Sequence, residues 1–171
     1  MTRIELEMLI KRAFHGVTLD GGHTLVDMNE MSNWGKRASK EEIESTSRVE
    51  FGANWTVLPV ETLHHFFPTL AHADAKAMRY YLPAFMVSLL THPDPWTHSL
   101  ITVLSALCPE SSDPEDYHIR RYALFDDKQR SACALYLSCL PDFVDLDRGS
   151  KRTVDQARSR YWDQHLPSEK V

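Results

Sequence analysis

The sequence predicts an all-α fold: a single compact multi-helix bundle around one apolar helix at about residues 75–90. Apolar residues recur mostly at three- and four-residue steps, and helix-capping residues precede several of these stretches. Only HTLVDM and TVLPV come near a strand pattern, which leaves open a short hairpin near 17–34. The 171 residues suit one domain, 1–171, with an ordinary globular composition of 43% hydrophobic and 25% charged residues.

The first predicted helix spans residues 3–15. Gly16 follows it, where a helix C-cap is expected. The apolar residues that recur at helical steps are Ile4, Leu6, Leu9, Ile10, Ala13 and Phe14.

Residues 17–34 lose this pattern, and Gly21-Gly22 signals a turn. We predict a long loop whose carboxylates lack a compensating Lys or Arg: Asp20, Asp27 and Glu30. Trp34, inside this loop, is the tryptophan that we expect to contact a partner. The other tryptophans fit core anchors: Trp55, Trp96 and Trp162.

Two short helices should follow the loop. Ser39 and Glu42 form a capping box, which predicts a helix over about 40–49. Pro59 suits the first turn of the second helix, since its missing N–H would have no helical partner there. Pro68 is expected to end that helix.

The central helix, at about 75–90, should begin after an Asp74 cap. Pro83 lies in its middle and removes the N–H that would bond the carbonyl of Arg79, so we predict a bend there. Apolar residues cover most of its circumference, which is typical of a helix inside a bundle. Its main stripe is Met78, Tyr81, Leu82, Phe85, Met86 and Leu89.

Asp94 and Pro95 predict the start of a helix that runs through Leu107. Asp113 and Pro114 repeat the same device, within a second acidic segment.

Two more helices complete the prediction. One begins at Asp126 or Asp127 and is expected to stop at Pro141. The last, at about 151–165, is amphipathic and should pack on the bundle or extend it. Its outer face is basic through Lys151, Arg152, Arg158 and Arg160.

Composition and cysteine usage favour a cytoplasmic protein. The amino terminus has no cleavage site of a secretory signal, and the longest apolar run, 80–90, is too short for a membrane span. The odd number of cysteines does not suit a disulfide framework, and apolar neighbours predict burial of Cys108, Cys133 and Cys139.

A metal site is the first chemical hypothesis, because five histidines fall within 35 residues: His64, His65, His72, His92 and His98. None stands four residues from another on one helix, as zinc ligands often do, so we expect no metal and no cofactor. Arg79 beside Tyr80 and Tyr81 has two interpretations. It forms a cation–π or phosphate-reading cluster with the tyrosines, or it reaches an acidic side chain or solvent while the rings are buried.

Several motifs together resemble a known family: NWTVLP at 54–59, the helix DAKAMRYYLPAFMVSLL, and RYALFDDKQRSACALYLSCL. This combination is similar to a bacterial family of unknown function, number 6714, with Met78 in place of the usual aromatic residue before Arg79. The resemblance covers about 6–140 and makes the basic carboxyl-terminal helix look like an addition. It implies a bacterial origin and brings no catalytic residues.

The leading hypothesis is a non-enzymatic bacterial protein-binding protein, of the immunity or adaptor type, that masks a basic partner. A toxin encoded by a neighbouring gene is one such partner. The net charge of −5 argues against nucleic acid as the ligand. The expected contact residues are Asp27, Glu30, Trp34, Asp113, Glu115 and Asp116. Two alternatives stay open: a metal-assisted hydrolase using scattered His and Asp/Glu, and a homo-oligomer joined through the last helix.

Overall fold

Helices and the loops between them make up the part of the chain that the computed structural model describes, residues 1–31, 41, 54–92 and 98–167. Within these residues the chain forms eight α-helices and no strand, which confirms the all-α prediction. None of these helices has both the length and the apolar character needed to cross a bilayer.

Some predictions fall outside the described residues. They are the capping box of Ser39 and Glu42 with its helix at 40–49, the contact role of Trp34, the helix start at Asp94 and Pro95, and the anchoring role of Trp96.

Helix α1 (Arg3–Ala13) begins with a capping box in which Thr2 Oγ1 accepts from the Glu5 N–H at 3.2 Å. Its core face is Leu6 and Ile10, both buried. Ile4, predicted on this stripe, is instead 69% exposed. The reason is geometric: two residues along a helix is a turn of about 200°, so Ile4 and Leu6 point in nearly opposite directions.

Helix α2 (Leu25–Met31) lies in the segment where the sequence predicted an acidic loop or a hairpin, and that prediction is wrong for residues 25–31, whereas residues 17–24 form a loop with a turn at Gly21. Thr24 and Asp27 exchange hydrogen bonds at its start: the Thr24 N–H donates to Asp27 Oδ2 at 2.9 Å, and the Asp27 N–H to Thr24 Oγ1 at 3.0 Å. Leu25 and Met28 are fully buried. A helix of two turns shows too few repeats for its period to be recognised in the sequence.

Short helical segments lead to the central helix. They are a 3-10 turn at Trp55–Val57, helix α3 (Val60–His65) and a 3-10 segment at Phe67–His72. Pro59 is the N-cap of α3, one residue before the predicted position. The α-helix ends before Pro68, as predicted, but the chain goes on as a 3-10 helix.

Helix α4 (Ala75–Thr91) is the centre of the fold, and twelve of its seventeen residues are buried. The predicted cap is confirmed, because Asp74 Oδ1 accepts from the Ala77 N–H at 2.7 Å. Helices α1, α3, α5 and α6 and both 3-10 segments pack against α4. Pro83 lies inside the helix and is buried, while the bend there stays a prediction.

Helix α5 (His98–Leu107) ends at the predicted residue, whereas α6 (Tyr117–Arg121) does not begin as predicted. Asp116, not Asp113, is the N-cap of α6. Asp113 instead accepts from the Glu115 N–H at 2.9 Å, so it closes a turn before the helix.

Helix α7 (Asp127–Phe143) begins at Asp126, whose capping box with Gln129 confirms one of the two predicted caps. The predicted stop at Pro141 is wrong, since the helix continues to Phe143. In the last turn a proline removes a single hydrogen bond, and the Val144 N–H still donates to the Leu140 carbonyl at 3.0 Å.

The carboxyl-terminal element is α8 (Arg148–Ala157), followed by a π-helical turn (Arg158–Trp162) and a 3-10 turn (Asp163–His165). It therefore starts three residues earlier than predicted, after an Asp147 cap. Trp162 is fully buried, and its indole N–H donates to the Leu107 carbonyl at 2.6 Å. Trp55 is held in the same way, by the Phe14 carbonyl at 2.9 Å.

Candidate functional site

The first predicted acidic segment lies on α2. Asp27 is engaged in starting that helix through Thr24. Glu30 is exposed on the same helix. Among the described residues Glu30 makes no hydrogen bond or ion pair through its side chain, and Trp34 lies outside that part of the chain.

The second acidic segment precedes α6, and here too one carboxylate, that of Asp116, is engaged in hydrogen bonds within the fold. Asp116 Oδ1 accepts from the His118 N–H at 2.8 Å, and its Oδ2 accepts from the Ser111 N–H at 2.9 Å. Burial alone would raise the pKa of Asp116, but these hydrogen bonds outweigh it, so the pKa lies below its usual value. Asp113 and Glu115 are exposed.

Both acidic segments approach one element, the 3-10 segment Phe67–His72. Helix α2 packs directly against this segment. From α6, Tyr117 Oη donates to the Ala71 carbonyl at 3.1 Å and Arg121 Nη1 donates to the Leu70 carbonyl at 2.9 Å. Helices α2 and α6, which are far apart in the sequence, therefore both contact the 3-10 segment Phe67–His72.

A groove opens between α5, α6 and this segment, with a volume of about 410 Å³; we call it the α5–α6 groove. Two large apolar side chains at the groove are unusually exposed, Ile101 by 66% and Tyr117 by 50%. The neutral part of its lining is Ala71, Ile101, Thr102, Ser105, Ala106 and Tyr117. No local pattern in the sequence indicates this groove, because its walls come from three separate segments, at residues 71, 101–110 and 117–121.

The ionisable lining of the groove is Glu110, His118 and Arg121. Arg121 is only 4% exposed, and its Nη1 donates to the Leu70 carbonyl. Its guanidinium also lies 4.7 Å from the centre of the Tyr117 ring. Among the described residues Arg121 forms no ion pair with a carboxylate, so backbone carbonyls and an aromatic face take the place of a counterion.

His118 supports Arg121 from the groove side. Arg121 Nη2 and His118 Nδ1 are 2.6 Å apart, and since a guanidinium only donates, Nδ1 must accept. Burial lowers the pKa of His118, and the neighbouring Arg121 charge lowers it further. The neutral imidazole is therefore the form that fits this site.

The histidines singled out in the sequence are not brought together. The described residues contain no group of three or more His, Cys, Asp or Glu that could hold a metal ion. His72 contacts another described histidine only through its backbone: His23 Nδ1 lies 3.3 Å from the His72 carbonyl, and His23 Nε2 lies 3.9 Å from Asp74 Oδ2. The His98 side chain lies outside the described part. The metal-assisted hydrolase stays a hypothesis that elemental analysis of untagged protein would test.

The predicted burial of the cysteines is confirmed for Cys133 only. Cys133 is fully buried, and Cys108 and Cys139 are half-buried. Burial raises the pKa of all three thiols. This is opposite to the shift that activates a cysteine nucleophile.

Comparison with known proteins identifies one family. The model of a family described as "Family of unknown function (DUF6714)" matches residues 2–166. The match includes α8 and the turns after it, so the view of the carboxyl-terminal helix as an addition is wrong. No curated protein and no solved structure matches the chain.

Proposed function

The chain belongs to the family of unknown function DUF6714, and from its surface we propose that it binds another protein through the α5–α6 groove. The ligand presents an apolar side chain flanked by Lys or Arg. The observation that carries this proposal is the exposure of Ile101 and Tyr117 at a groove that Glu110 lines, with the exposed carboxylates of Asp113 and Glu115 on the segment that leads to Tyr117.

The carboxylates near the groove determine which charge the partner should carry. Glu110, Asp113 and Glu115 lie within six residues, are all exposed, and form no ion pair with a described residue. The chain as a whole carries a net charge of −5. Complementary charge of this kind speeds the encounter with a basic protein and disfavours an acidic one.

The apolar centre sets the contact that holds the partner. Aromatic residues at the middle of an interface, enclosed by polar groups that exclude water, supply most of the binding energy in protein complexes. Tyr117 suits this role because its ring is already positioned by Ala71 and Arg121 and loses little freedom on binding. Ile101 adds a second apolar contact on α5.

The biological form of this proposal is an immunity-type or adaptor protein that covers a basic surface of its partner. A bacterial toxin encoded next to this gene is the partner to test first. The alternative of a homo-oligomer joined by the last helix loses its motivation, because Val154, Ala157 and Trp162 bury the apolar face of that element within the chain.

A direct test uses the peptide Lys-Lys-Leu-Leu-Lys-Lys and NMR titration of the isotope-labelled protein at low ionic strength. We expect the peptide to shift the resonances of Ile101 and Tyr117, and Ile101→Ser to weaken binding about tenfold. Ile4→Ser is the matched control, since Ile4 is 69% exposed on α1, away from the groove. The peptide Glu-Glu-Leu-Leu-Glu-Glu should not bind.

The charge contribution is tested separately with Glu115→Lys, against Asp155→Lys as an exposed control on α8. Both variants change the net charge equally, so only the local effect of the groove separates them. Equal affinity of the two variants for the basic peptide, or binding of the acidic peptide, would show that the proposal is wrong. The neighbouring gene product should then show the same ranking of variants by calorimetry.

A further inference from the structure

A second pocket, of about 260 Å³, lies between the loop after α1 and the first turns of α4; we call it the basic pocket. Its side chains include His15, Thr18, Asp20, Lys76, Arg79 and Leu124. It shares no residue with the α5–α6 groove. Whatever binds here is therefore independent of the protein ligand proposed above.

Arg79 is held in place from behind. Its Nε donates to Gln129 Oε1 at 3.1 Å. The same oxygen accepts from the Asp126 N–H at 3.1 Å in the capping box of α7, and the Gln129 side chain is buried. Arg79 makes no other hydrogen bond and no ion pair with a described residue. Its two terminal amino groups are therefore oriented by the protein but not satisfied by it.

Lys76 lies one turn earlier on the same face of α4. Its Nζ donates to the Asp20 carbonyl at 2.7 Å, which fixes one of three N–H bonds and leaves two. It too forms no ion pair with a described carboxylate. The Asp20 carboxylate is the acidic group of the described lining, so Lys76 and Arg79 leave an excess of positive charge.

We propose that the basic pocket binds the phosphate group of a small ligand. A guanidinium presents two parallel N–H groups to two phosphate oxygens, and an ammonium adds a point charge to the third. A phosphate monoester carries close to two negative charges at neutral pH, so it is attracted by the positive charge that Lys76 and Arg79 leave in excess over Asp20. The volume, just below that of ordinary ligand sites, suits a phosphate with a small organic part.

The structure confirms one part of the sequence interpretations of Arg79, the burial of both tyrosine rings. Tyr80 and Tyr81 pack edge to face with ring centres 4.9 Å apart, and neither lines the pocket. The second cation comes from Lys76 instead, three residues before Arg79. The R-Y-Y part of the motif therefore serves two purposes, with the arginine facing a pocket and the tyrosines facing the core.

The test is calorimetric titration of the full chain with inorganic phosphate and with glycerol phosphate, at constant ionic strength. We expect saturable binding of at least one, weakened about tenfold or more by Lys76→Met and by Arg79→Met. Lys151→Met is the matched control, an exposed lysine on α8, and should change affinity less than twofold. Tighter binding of glycerol phosphate would identify a monoester, and equal binding would identify free phosphate as sufficient.

Three results would overturn this inference. They are the absence of saturable binding of both probes, equal losses in Lys76→Met and Lys151→Met, and binding of acetate as tight as that of phosphate. Because Lys76 is exposed, its variant reports on binding even if Arg79→Met folds poorly. Spectra of the unliganded variants establish that each is folded before titration.

Discussion

Arg121 lines the α5–α6 groove and Arg79 lines the basic pocket, and the fold uses the two arginines in opposite ways. Arg121 is buried, and its terminal nitrogens bind the Leu70 carbonyl and His118. Arg79 is half-buried and binds the protein through Nε alone. A fully buried cation must be satisfied by the fold, whereas one at the surface can keep donors for a ligand. Partner count, more than residue type, thus separates a structural arginine from a binding one.

The strongest way to break this comparison is Arg121→Met. We expect a loss of about 3 kcal/mol in the free energy of unfolding, because the Leu70 carbonyl loses a charged donor and His118 loses its partner. Urea denaturation followed by circular dichroism measures it. Arg120→Met, at the exposed neighbouring position, should stay within about 0.5 kcal/mol of the parent protein. Similar losses in both variants would refute the structural role of Arg121.

Arg79→Met should cost less, about 1.5 kcal/mol, because a single charged hydrogen bond to Gln129 is lost. The same denaturation experiment applies. Lys76→Met, which removes the other cation of the basic pocket, is expected within about 0.5 kcal/mol of the parent. A loss for Arg79→Met as large as that for Arg121→Met would erase the distinction between the two arginines.

Asp27 and Glu30, the two predicted contact residues on α2, can be compared in the same way, with a smaller expected difference in the free energy of unfolding. Asp27→Ala should lower the free energy of unfolding by about 1 kcal/mol, since it removes the carboxylate oxygen that accepts from the Thr24 N–H and the Thr24 hydroxyl. Glu30→Ala should change it by less than about 0.5 kcal/mol. Thermal unfolding of the two single variants ranks them. The reverse order would mean that the start of α2 does not depend on Asp27.

The smallest effect is expected from His118 and depends on pH. Burial, and then the Arg121 charge, lower the pKa of His118 in the folded state. Between the folded and unfolded pKa values the unfolded chain binds more protons, so stability is complete above the unfolded value and falls as the pH drops from about 7 to 5. His118→Gln keeps an acceptor for Arg121 and should flatten this dependence.

His165 keeps the pH dependence of stability from becoming entirely flat in His118→Gln. Burial also lowers its pKa, so it contributes a slope of the same sign. Urea midpoints at a series of pH values give both slopes, and a His165→Gln variant separates them. An unchanged slope in His118→Gln would exclude the neutral imidazole as the acceptor from Arg121.

Local features of the fold could be predicted from the sequence, and distant ones could not. The caps of α4 and α7 were found because Asp74 and Asp126 bind N–H groups only three residues away. The start of α6 was misplaced because Asp113 and Asp116 both suit a cap, and only the folded chain decides between them. The Arg121 bond to the Leu70 carbonyl spans 51 residues, a distance that no local pattern encodes.

The candidate sites follow the same division. Glu115 and Asp113 are exposed, as charged residues near a proline turn usually are, and their role as contact residues stays a prediction. The groove beside them depends on Ile101 and Tyr117, whose exposure contradicts their apolar character. Arg79 was noticed, but its pocket depends on the loop after α1, more than 50 residues earlier.

The buried thiol of Cys133 turns α7 into a reporter of transient opening. Alkylating reagents attack the thiolate, and here the side chain is both fully enclosed and held protonated. Cys108 and Cys139 are partly accessible and will be modified in the native protein. The slow third modification, counted by mass spectrometry, then gives the rate at which the core exposes itself. A ligand of the α5–α6 groove or of the basic pocket should slow this third modification without contacting Cys133.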